Sequence, residues 1–134
     1  MTDKKDIIKR WIQKAESDLK TARILMESKG SPTESICFHS QQAVEKLLKA
    51  YLTFANIRVG KTHDIATLLE LCIEKDEDFK KLDLEKLEEL TFYAVDVRYP
   101  DTFYIPSREE AKEALSLAET LRDFILKKLE RILE

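Results

Sequence analysis

Ser35, His39, Gln42, Lys46, Lys49 and Thr53 recur at steps of three and four. On a helix that spacing sets them in one stripe. A solvated helix face of this length is normally rich in Glu and Lys pairs. A stripe with His, Gln and two Lys in succession can instead hydrogen-bond and neutralise a phosphate or a nucleotide. Arg98 is a second candidate. It follows Ala94 by four residues and Thr91 by seven, at the border of the apolar stripe begun by Leu84 and Leu87. A guanidinium there can point into a groove, or bond the last carbonyls of its own helix. Directly after it comes Tyr99-Pro100-Asp101-Thr102-Phe103-Tyr104-Ile105-Pro106, dense in aromatics for a loop. Rings beside an Arg suit base stacking, and they also suit packing over a bundle end.

Two other constellations carry less chemistry. Gly60-Lys61-Thr62 resembles the tail of a phosphate loop, but the glycine required five residues earlier is Ala55 and no strand precedes it. A turn leading into a helix is enough to explain it. Cys37 and His39 lie two apart on a helix, so their side chains diverge by about 200° and cannot readily share one ion. His63 and Cys72 are nine residues apart, without paired ligand spacing. The expectation is no metal and no cofactor.

The elements that position these residues read as helices almost throughout. Ile7, Ile8, Trp11, Ile12, Ala15, Leu19, Ala22 and Met26 form the stripe of a first helix, stopped by Gly30 in a left-handed C-terminal position. Ser31-Pro32-Thr33-Glu34 reads as a capping box with Pro32 at the first helical position. It opens a second helix from about Pro32 to Phe54. A short third helix starts near Asp64 and uses Ile65, Leu68, Leu69 and Cys72. Glu74-Lys75-Asp76-Glu77-Asp78 reads as a solvated linker, and Asp83 as the cap of a fourth helix over Leu84–Val97. Pro100 ends that helix near Arg98. Ser107-Arg108-Glu109-Glu110 is a second capping box, opening a final helix that reaches nearly to Glu134. The fold expected is all-α: an up-and-down four-helix bundle with one additional short helix, in a single domain over 1–134. On the last helix Leu117 and Phe124 widen the apolar face to a second side, which predicts self-association as a homodimer.

Composition fits a single bundle of 134 residues. Only 2 Gly and 3 Pro exclude a many-stranded sandwich or barrel. The net charge of −3 argues against wholesale duplex binding, so no sequence-specific duplex DNA is expected. Two Cys are too few for a disulfide scaffold, and neither a signal region nor a membrane-length apolar run is present. The expected location is the cytoplasm.

Phe38-His39-Ser40-Gln41-Gln42-Ala43-Val44-Glu45-Lys46-Leu47-Leu48-Lys49-Ala50 resembles the second-helix signature of HEPN domains (higher eukaryotes and prokaryotes nucleotide-binding). Thr62-His63-Asp64 and Arg98-Tyr99-Pro100-Asp101 sit where that family has similar segments. The resemblance implies a small helical bundle, usually dimeric, often encoded beside a minimal nucleotidyltransferase in toxin–antitoxin-like pairs. Many members are metal-independent ribonucleases with an Arg followed four to six residues later by His. Here Arg98 meets the Arg position, and the window after it holds Phe103, Tyr104 and Ile105 without a His. Cleavage through a 2′-hydroxyl needs a group that accepts a proton near neutral pH, which neither Arg nor Tyr supplies. The expectation is therefore a non-catalytic module that binds a nucleotide or RNA through His39, Gln42, Lys46, Lys49, Arg98, Tyr99 and Tyr104. A ribonuclease pairing His39 with Arg98, and a purely structural dimeric interaction protein, are the alternatives.

Overall fold

The computed structural model describes residues 3–96 and 104–134, with the backbone alone for Val95 and Asp96. Helix α1 spans Lys4–Glu27, α2 Thr33–Phe54 and α3 Ile65–Lys75. A 3-10 turn over Glu77–Lys81 leads to α4 (Leu84–Glu89), α5 (Thr91–Asp96) and α6 (Arg108–Leu133). The architecture is an all-α, up-and-down bundle, and no strand occurs among the described residues.

Local chemistry explains most of these boundaries. Asp3, Asp64, Asp83 and Ser107 each accept a backbone N–H at a helix start. The Ser107–Glu110 box forms with both of its bonds. Gly30 adopts φ 78°, the left-handed conformation expected of it. The Ser31 box does not form. Pro32 is the N-cap of α2 without a side-chain bond, because the Ser31 hydroxyl turns back to the Leu25 and Ser28 carbonyls and closes α1 instead.

The predicted fourth helix is divided. Leu90 stays near helical geometry, but its N–H reaches only to Leu87 and Glu88, and Tyr93 bonds back to Leu90 at i−3. The tightened turn separates α4 from α5. Val97, the predicted end, lies outside the described residues.

The Glu74–Asp78 stretch also differs from a solvated linker. The 3-10 turn carries the fully buried Phe79, whose ring packs edge-on against Tyr51 at 4.8 Å and Phe124 at 4.9 Å. Lys128 fastens the turn from α6, at 2.8 Å from Asp76 and 2.5 Å from Asp78. Phe124, half of the widened face of α6, is therefore partly covered within the chain. Leu117, the other half, packs partly buried against the core.

The core is built from α1, α2 and α6, with α3 and the 3-10 turn closing one end. Leu19, Val44, Leu47, Leu48, Leu52, Leu121 and Ile125 are fully buried within it. Burial of each large side chain contributes roughly 1.5–3 kcal/mol. The packing between α1 and α2 is the most extensive in the bundle, and it places the polar edge of α2 beside α1.

Candidate functional site

The polar edge of α2 is organised by two carboxylates. Asp18 on α1 accepts from His39 Nδ1 at 2.8 Å through one oxygen and from Lys46 Nζ at 2.5 Å through the other. Asp18 is 9% exposed, so this double bond compensates a largely desolvated charge. An ionised carboxylate only accepts, so the proton between them belongs to Nδ1, and in the neutral tautomer Nε2 is left as the acceptor. This orients the imidazole as a carboxylate orients a general base.

Glu45 is the second hub, 3% exposed. Its Oε1 accepts from Lys49 Nζ at 3.3 Å and pairs with His63 Nδ1. Its Oε2 accepts from Gln41 at 3.2 Å and from Gln42 at 3.5 Å, while Gln42 also donates to the Gln41 carbonyl at 2.7 Å. His63 itself remains 63% exposed, so the loop before α3 is tied to α2 by one buried carboxylate and one surface ring. Lys49 also lies 5.5 Å from the centre of the Trp11 ring.

The predicted stripe thus folds as one helix edge, divided between two hubs. His39 and Lys46 turn to α1, while Lys49 and Gln42 join the Glu45 network. Lys46 and Lys49 each face a carboxylate within the chain. The Thr53 hydroxyl donates to the Lys49 carbonyl of its own helix at 2.8 Å. Tyr104 donates to Glu110 at 2.6 Å, beside the capping box of α6. That bond raises the Tyr104 hydroxyl above its ordinary pKa and holds Glu110 below the usual carboxylate value. Arg98 and Tyr99 lie outside the described residues, so the pairing of His39 with Arg98 does too.

Asp18, Gln41 and Glu45 are the partners that spacing analysis passed over. A signal was present. Asp18 follows Ala15 by three and precedes Ala22 by four, and Glu45 precedes Leu48 by three and Leu52 by seven. A carboxylate on an apolar stripe calls for a buried partner.

The two cysteines lack reactive character. Burial pushes the Cys37 thiol up to about 12, although the Tyr93 hydroxyl donating to it acts in the opposite direction. Burial alone takes Cys72 to about 12. Among the described residues no group of three His, Cys, Asp or Glu side chains is arranged to hold a metal ion. No helix among them is long and apolar enough to cross a membrane.

Comparison with known proteins gives a consistent result. The HEPN domain model matches residues 8–129. A Methanocaldococcus jannaschii protein described as "Putative toxin MJ1304" is 31% identical over 138 residues, covering 90% of this chain and 89% of that protein. The crystal structure of ST0689, described as an archaeal HEPN homologue, superposes with a TM-score of 0.65 at 27% identity. That similarity covers 91% of this chain and 97% of the other. With the Phe38–Ala50 helix in place and the family model spanning nearly its whole length, the chain belongs to the HEPN family.

Proposed function

We propose that the protein is the HEPN member of a toxin–antitoxin-like pair, acting in the cytoplasm as a homodimer that holds a nucleotide or an RNA end. Its companion in this reading is a minimal nucleotidyltransferase. The toxin description of the Methanocaldococcus jannaschii relative supports the pairing. The observation that carries the binding role is the α2 edge. His39, Gln42 and Lys46 are only half-buried, and Asp18, Gln41 and Glu45 hold their inner atoms. Polar groups held from inside, with the Lys46 ammonium as the donor among them, are oriented before a ligand arrives, which lowers the entropy lost on binding. Arg98 and Tyr99 complete the proposed ligand set with a bidentate phosphate donor and a stacking ring.

The test is retention of nucleotides and short RNAs by the purified protein. Arg98→Ala is expected to weaken binding about tenfold or more, the cost of one charge-assisted contact. Absence of binding by the wild type overturns the reading.

One observation favours a second reading, a metal-independent ribonuclease. The Asp18–His39 pair leaves Nε2 able to accept a proton from a 2′-hydroxyl. Incubation of a mixed RNA pool without metal separates the two. Binding without cleavage is expected. Robust wild-type cleavage, lost in both Arg98→Ala and His39→Ala, promotes the ribonuclease.

A further inference from the structure

A groove of about 530 Å3 opens between α1 and the turn that follows α2, and it meets the α2 hubs only at Lys49. Ile7, Trp11, Lys49, Arg58 and Gly60 are among its lining residues, and no carboxylate lines it. A volume of this size lies inside the roughly 300–1,000 Å3 range of small-molecule sites.

The wall formed by the turn is fixed by the backbone. Asn56 sits at φ 61°, its N–H bonds the Thr53 carbonyl at 3.1 Å, and Ile57 N–H bonds the Leu52 carbonyl at 2.9 Å. This is a Schellman closure with Asn as the left-handed residue. It sends Ile57, Arg58 and Val59 out along the groove instead of onward with the helix axis.

The lining offers two kinds of contact. Trp11 is half-buried, and its indole N–H has no acceptor among the described residues. Arg58 is exposed and has neither an ion pair nor a hydrogen bond among them. Lys49 is balanced by Glu45, so Arg58 is the cation available to an incoming anion. An aromatic and aliphatic wall beside one uncompensated guanidinium matches a flat heteroaromatic ring that carries a phosphate.

We propose that this groove is a binding site for a nucleoside 5′-phosphate, with the base against Trp11 and Ile7 and the phosphate on Arg58. It rests on the nucleotide- or RNA-binding reading given above, and it adds a site that shares only Lys49 with the ligand set built around Arg98. A free nucleotide and a 5′-phosphorylated RNA end present the same chemistry.

Trp11 is the chain's single tryptophan and lines the groove, so its fluorescence reports on it. The probes are adenosine 5′-monophosphate, adenosine, and a short oligoadenylate RNA with and without a 5′-phosphate. Saturable quenching is expected from at least one phosphorylated probe, at a concentration at least tenfold below that of its unphosphorylated counterpart. Which phosphorylated probe acts at lower concentration identifies the source. Arg58→Glu is expected to raise the midpoint about tenfold or more, and Arg58→Lys to recover most of it. Gly60→Leu should abolish quenching by filling the groove. Nothing lies within 4 Å of where its Cβ would stand, so the side chain meets space and not a neighbour.

Equal quenching by phosphorylated and unphosphorylated probes overturns the site. So does quenching unchanged by Arg58→Glu, which stands as a test even if Gly60→Leu fails to fold. RNA retention that depends on Arg98 without any Trp11 response overturns the groove and leaves the functional reading standing. Loss of both leaves neither.

Discussion

Glu45 sits almost fully buried, and Lys49, Gln41, Gln42 and His63 surround its carboxylate with partners. Desolvating a carboxylate is costly, and only a complete set of partners offsets it. Removing one member of such a pair leaves the other charge buried alone. Glu45→Gln is expected to destabilise the fold by about 3 kcal/mol in urea unfolding, because Lys49 loses its carboxylate partner. Adding Lys49→Met to that variant should recover a large part of the loss. A cost for Glu45→Gln below about 1 kcal/mol would show that water already solvates the pair. The spacing of His39, Gln42, Lys46 and Lys49 was legible in the sequence as one helix edge. Their division between Asp18 and Glu45 was not. Helical periodicity assigns a residue to a face, but which carboxylate on a neighbouring helix it meets depends on how α1 and α2 are rotated against each other.

The 3-10 turn over Glu77–Lys81 shows the same limit for a whole element. Five charged residues in succession read as a solvated segment, and Glu77, Lys80 and Lys81 are indeed exposed. Phe79 is what converts the segment into a packed element, through Tyr51 on one side and Phe124 on the other. Phe79→Ala is expected to cost about 3–5 kcal/mol, measured by urea or thermal unfolding. A cost within about 0.5 kcal/mol would mean that the turn is dispensable. Lys128 holds the same turn electrostatically, and its bonds to Asp76 and Asp78 raise its pKa above the ordinary lysine value. A raised lysine pKa contributes stability that is fully present below the unfolded value of 10.5. That contribution disappears as pH rises through the higher folded value. Asp78 is lowered by Lys128 and then Lys81, so its contribution is present above 3.8 and is lost as pH falls through its lowered value. Hydrogen exchange at residues 77–81 should therefore accelerate at both extremes, beyond the intrinsic pH dependence of exchange. Lys128→Met should remove the alkaline part of that response. The capped starts of α3, α4 and α6 were all legible, because a cap is a local event. The break at Leu90 was not, because nothing between Leu84 and Ala94 punctuates the helix.

For the molecule as a whole, the wide apolar face of α6 suggested a dimer seam, and the fold covers much of it from inside. Phe124 is taken up by Phe79, and Leu117 by the core. Of the large apolar side chains that stay exposed, Ile7 and Ile24 stand on α1, and the others gather at α5 and the segment before α6. Phe92 is 50% exposed and Ile105 62%, and the Phe92 ring packs 6.1 Å from that of Tyr104, next to Ile105 in the chain. Large side chains left in water next to one another mark an association surface more often than singly scattered ones do. A two-fold arrangement buries the same patch on both copies with one kind of contact. Helix α1 carries seven basic and four acidic residues, and the Phe92–Ile105 patch lies on other elements. Association through the patch leaves α1 and its groove open to an anionic ligand. Sedimentation of the wild type at micromolar concentration should give a dimer, and the double variant Phe92→Ser, Ile105→Ser should sediment as a monomer with its helical content intact. A wild type that remains a stable monomer defeats the dimer altogether. A double variant that still dimerises moves the interface back towards α6, where Leu117→Ser then becomes the deciding substitution.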